Sequence, residues 1–126
     1  MKIKMQTIVM QSQDTKALLN MLEATSAAMS LVQGQLMRSL LNDTPRIQGI
    51  VKAIEFIDHS ACEVTAECRE LHPDVPWDYI IGLYDDIVQP GGQIDPDKLW
   101  FAVSEILSPL QFALERAAPP DIDAYN

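Results

Sequence analysis

Apolar positions recur with helical spacing along most of this chain, and proline-led starts and glycine stops cut the pattern into segments. Leu18, Leu22, Met29 and Val32 follow one another at intervals of four, seven and three, with Leu19 close beside them. That stripe predicts one buried helix face, starting near Asp14-Thr15 as N-cap residues and ending at Gly34. "QLMRSLLND" then reads as a short helix or turn closed by Asn42-Asp43. Thr44-Pro45 is a start signal, a threonine N-cap with proline at the first helical position. Behind it Ile47, Ile50, Ile54, Ile57, Ala61, Val64, Cys68 and Leu71 recur at alternating gaps of three and four. A stripe held that long predicts one continuous helix up to His72-Pro73, lying along partner helices.

Asp74 reads as the N-cap of a third helix opened by Val75-Pro76-Trp77, carrying Ile80, Ile81 and Tyr84, and stopped by "PGG". Asp95-Pro96 repeats the earlier device and starts a last helix with Leu99, Val103, Ile106, Leu110 and Ala113 on one face. Pro109 lacks a backbone N–H and should kink that helix near Ile106 or remove one backbone bond. "APPDIDAYN" cannot continue it. Four main helices, short connections and few strand signals predict an all-α fold, an up-and-down bundle of four to five helices. Without a repeat or internal linker, residues 14–117 read as one body, with an N-terminal extension over 1–13 and a C-terminal tail over 118–126.

Composition changes this picture little, but charge changes it more. The 126 residues hold 48% hydrophobic and 21% charged positions, ordinary for a chain that folds around one core. No apolar run reaches the roughly 18 to 20 residues a membrane span needs. The start "MKIKMQTIVMQS" has too short an apolar patch for a secretory signal, and a cytoplasmic protein is expected. Cys62 and Cys68, six apart in one helix, point to different faces about 9 Å apart along the axis, too far for a disulfide. Free thiols fit a reducing compartment. His59 and Glu63 lie one turn apart, but such a lone pair is a surface contact before it is a metal site, and no metal or cofactor is expected.

Net charge is −9, and between Asp74 and Asp97 the chain has six aspartates and no lysine or arginine. Nucleic-acid surfaces need clustered cations to displace phosphate counterions, so RNA binding is not expected of this stretch. Trp77 and Trp100 read as anchors between the last two helices. Arg69 and His72 sit where positive charge favours a helix C-terminus.

The stretch from Leu71 to Leu114 nevertheless resembles the HepT-like branch of the HEPN superfamily. Its matching elements are His72-Pro73-Asp74-Val75-Pro76-Trp77, Ile81-Gly82, and Asp95 through Trp100. Upstream, "DTKALLNMLEA" and "IVKAIEFIDHSACEV" look like the first two helices of that family, so the resemblance covers Asp14 to Ala117. It implies a HEPN-like helical bundle that forms homodimers. It also implies an endoribonuclease toxin neutralised by a small nucleotidyltransferase in a toxin-antitoxin module. Metal-independent cleavage there uses an arginine and, four to six residues later, a histidine, often with a tyrosine two positions on. The histidine moves protons and the arginine grips the phosphate.

Laid over this chain, that motif falls on Tyr84, Gln89 and Gly91. Gln89 cannot shuttle protons near neutral pH, Tyr84 carries no positive charge, and Asp85 and Asp86 repel phosphate. The resemblance with these departures implies a noncatalytic relative acting as a dimeric interaction partner, with a nucleotidyltransferase among its candidate partners. Two alternatives stand beside it. One is a ribonuclease using non-standard residues, such as Asp85 and Asp86 with a divalent cation. The other is a small-molecule-binding bundle with Trp77, Tyr79, Tyr84 and Trp100 around a cleft. Trp77, Tyr84, Asp85, Asp86 and Trp100 are the candidates for an interface or cleft.

Overall fold

The computed structural model describes the backbone of residues 2–118 and the side chains from Gln13 onward. The described part is all-α: α1 (Lys2–Val32), α2 (Met37–Leu41), α3 (Thr44–Cys62), α4 (Ala66–Leu71), α5 (Trp77–Ile80), α6 (Leu83–Ile87) and α7 (Pro96–Phe101), then a π-helical segment (Ala102–Ile106) running into α8 (Leu107–Ala117). The tail's course beyond Ala118 lies outside the described residues.

α1 is the central element, packing along both α3 and α8. It runs antiparallel to α3: Gln13 donates to the Glu63 carbonyl at one end, and Arg46 donates to the Leu31 carbonyl at the other. Ala17, Leu18, Met21 and Ala28 from α1 meet Ile50, Ile54, Ile57 and Ala61 from α3 in the core. Leu107, Leu110, Ala113 and Leu114 close it from α8. The α1 stripe sits slightly off its predicted line, with Leu22, Met29 and Val32 half-buried and Leu19 at the surface.

Several predicted boundaries move, each for a local reason. α1 does not begin at Asp14-Thr15; its helix is already running at Lys2, and Asp14 is an interior helical residue only 3% exposed. Its carboxylate accepts from the Thr65 N–H (2.8 Å) and the Thr65 hydroxyl (2.7 Å). Thr44 is not the cap of α3: Asp43 is, accepting from the Arg46 N–H, with Pro45 in the first turn.

The long second helix is two helices. α3 ends at Cys62, and Thr65 caps α4 by accepting from the Cys68 N–H. The buried stripe survives the break through Val64 and Cys68, but Leu71 at its end is exposed. Arg69 spans the break, donating to the carbonyls of Val64 (3.1 Å), in the connection, and Ala61 (3.2 Å), in the last turn of α3. The positive charge predicted for a helix end is there, but it serves α3 rather than Arg69's own helix.

Asp74 does not cap the next helix, which starts behind Pro76; its carboxylate pairs with Arg116 at 2.9 Å on the surface. That third helix is itself broken. Gly82, with φ +97°, separates α5 from α6, a backbone conformation only glycine adopts at no cost. Asp95 does cap α7, accepting from the N–H groups of Asp97 and Lys98.

The irregularity predicted from Pro109 takes the form of the π-helical segment, ending one turn before the proline. One wide turn advances the buried stripe by a residue, so Leu107 takes the interior place expected for Ile106, which is half-buried.

Candidate functional site

The segment that carries the motif positions Tyr84, Gln89 and Gly91 is a short helix followed by a hairpin. α6 presents the N–H groups of its first turn, and Asp58 of α3 occupies them: one carboxylate oxygen accepts from Gly82 (3.2 Å) and from Tyr84 (3.1 Å). An anion already belonging to the protein thus fills the place where a phosphate could meet helix-end donors. Asp85 and Asp86 are exposed in that same first turn, where negative charge suits the positive end of the helix. The Tyr84 side chain is half-buried against the core.

Past Ile87 the chain turns back. The Gln89 carbonyl accepts from the Gly92 N–H (2.9 Å), with Pro90 and Gly91 between them. Gly91 has φ +90°, as a type II turn with proline at its second position requires. The Gln89 N–H donates to the Gln93 carbonyl, and Val88 and Ile94 form an isolated antiparallel bridge. The Gln89 side chain donates to the Asp86 carbonyl at 3.0 Å, tying off the C-terminal end of α6. All three motif positions therefore have structural duties: Tyr84 packs, Gln89 closes a helix, and Gly91 makes a turn.

The aromatic candidates separate. Trp77 is buried, its indole N–H shared between the carbonyls of His72 (3.0 Å) and Arg69 (3.2 Å), while the Arg69 guanidinium lies 5.9 Å from its ring centre. It clamps the end of α4 and has no polar atom left to offer a ligand. Trp100 is half-buried against the core. Tyr79 is elsewhere. With Phe101, a residue sequence reasoning did not select, it walls a cleft of about 300 Å³ that also includes Leu83, Asp86, Asp97 and Lys98. Burial, and after it the Asp86 charge, holds the Tyr79 phenol above its ordinary range, so its hydroxyl stays protonated. The signal that could have found this cleft is the i, i+4 spacing of Asp97 and Phe101 on one face of α7.

Among the described residues no three His, Cys, Asp or Glu side chains come together as a metal site, and His59 is exposed. Cys62 is exposed and Cys68 buried, both as free thiols. No described helix is long and apolar enough to cross a membrane.

Compared with known proteins, the chain is 26% identical over 97 residues to a protein of Methanocaldococcus jannaschii named "Putative RNase MJ1380". The match spans 76% of this chain and 89% of that protein. The likeness is to a protein with a ribonuclease name. No family profile matches the chain, and no solved structure does.

Proposed function

We propose that this chain is a HepT-like bundle of the HEPN superfamily that has given up RNA cleavage and acts by association, as a homodimer and as partner of a nucleotidyltransferase-type protein. The observation that carries the reading is the state of the motif positions. The place of the phosphate-gripping cation holds Tyr84, and the place of the proton carrier holds Gln89, whose side-chain amide donates to the Asp86 carbonyl. The acidic first turn of α6, closed by Asp58, disfavours a phosphate further.

A second reading, an active ribonuclease using other residues, draws on the relative's name. Asp85 and Asp86 would have to carry it with a divalent cation, and neighbouring residues on a helix point about 100° apart, so a shared shell would need ligands from elsewhere.

An endoribonuclease assay separates the two. The purified chain should leave RNA intact, with and without Mg²⁺ or Mn²⁺, under conditions where an intact relative cuts. A Tyr84→Arg, Gln89→His double substitution beside it reads whether those positions still meet substrate. Cleavage by the native chain would sink the association reading.

A further inference from the structure

We propose that the cleft between α6 and α7 receives an arginine side chain from a basic segment of a partner protein. The inference rests on the association reading above and gives that association its chemistry.

The cleft's volume of about 300 Å³ lies at the small end of the range for ligand pockets, which suits one side chain better than a cofactor. Two of its walls are aromatic. The rings of Tyr79 and Phe101 have centroids 6.2 Å apart and planes inclined at 54°, forming an open corner. Phe101 is 49% exposed, so about half of its ring is left uncovered by the described residues. Ring faces attract cations, and a planar guanidinium can stack on them.

The rim adds the matching charge. Asp86 comes from α6 and Asp97 from α7, and both are exposed. Neither pairs with a basic side chain among the described residues. Lys98 at the edge offsets one carboxylate, which leaves the cleft an excess of negative charge for a single cation to answer. Around it lies the stretch from Asp74 to Asp97 with no lysine or arginine. A field of that sign draws a basic segment toward the cleft and turns phosphates away. Arginine fits better than lysine because its rigid fork can meet a carboxylate while its plane lies on a ring; an ammonium does only the first well.

The test is a fluorescence-anisotropy titration of the full chain with labelled hexa-arginine and hexa-lysine peptides. The native chain should bind the arginine peptide more tightly. Asp86→Asn with Asp97→Asn should weaken that binding about five- to tenfold, and Phe101→Ala should remove the preference for arginine over lysine. Glu23→Gln with Glu115→Gln removes the same charge far from the cleft and should cost less than about twofold. Equal weakening by the two charge-matched pairs would mean that overall acidity alone binds the peptide, and would overturn the proposal. So would a native chain that does not distinguish the two peptides. Circular dichroism of each variant guards against unfolding, and Asp97→Asn alone serves if the pair misfolds. The ribonuclease assay on the same samples keeps the two readings apart, since RNA cleavage sinks the association reading and indifference to Asp86 and Asp97 sinks only this one.

Discussion

At the scale of single residues, Asp14 shows how a polar side chain ends up inside a bundle. Its carboxylate is taken out of water by α3 and α4 but receives both the N–H and the hydroxyl of Thr65, and Thr65 in turn caps α4. Hydrogen bonds to a charged acceptor outweigh neutral ones, and stranding their donors costs the desolvation as well. Asp14→Ala should therefore destabilise the fold by about 2–3 kcal/mol in urea unfolding. A loss under half a kilocalorie would show that water replaces the carboxylate freely.

Cys68, buried next to Asp14, has its thiol pushed up to about 11 by burial first and by the Asp14 charge second. The unfolded chain gives up that proton near the ordinary 9.0, while the folded chain keeps it to about 11. The folded state binds more protons across that window, so this contribution to stability is complete below it and is lost as pH rises through it. Tyr79, also raised, adds to the loss in the same direction. Melting temperature should fall between pH 9 and 11 more steeply in the native chain than in Cys68→Ala; parallel slopes would remove Cys68 as a cause.

At the scale of elements, each break that divides a predicted helix has a carboxylate from another helix holding it. The α3–α4 break is held by Asp14 of α1 and by Arg69 folded back onto the α3 carbonyls. The α5–α6 break is held by Asp58 of α3, which accepts from Gly82 and Tyr84. Gly82 makes that second break possible, and a Cβ built there meets no atom within 4 Å. The cost of Gly82→Ala is thus backbone strain alone, about 1–2 kcal/mol by denaturant melt. A neutral result would mean that α5 and α6 can merge into one helix without loss.

At the scale of the molecule, charge and apolar surface point the same way. The association we propose draws on a net charge of −9, the wrong sign for a phosphate backbone, and on phenyl rings exposed at Phe56, Phe101 and Phe112. Homodimerisation is part of the function we propose. Multi-angle light scattering should return twice the 14.1 kDa chain mass, and a single-chain mass at all concentrations would rule the homodimer out.

Sequence periodicity by itself was enough for the all-α class, the core stripe from Ile50 to Cys68, the glycine end of α1, and the Asp95-Pro96 start of α7. Those features are local, because helical spacing, proline at a first turn and a left-handed glycine act within a few residues. The placing of the motif on Tyr84, Gln89 and Gly91 rests on the resemblance, and it enters the proposed function on that footing. Tertiary structure decided the rest. Whether a long stripe breaks before Thr65 depends on a carboxylate 51 residues away from that threonine, at Asp14, and whether α6 separates from α5 depends on Asp58. The tyrosine and phenylalanine of the cleft lie on different helices, and only packing brings their rings to 6.2 Å. Hydrophobic spacing names the face a helix buries, but not the partner that meets its ends, because those contacts join residues whose separation along the chain carries no pattern.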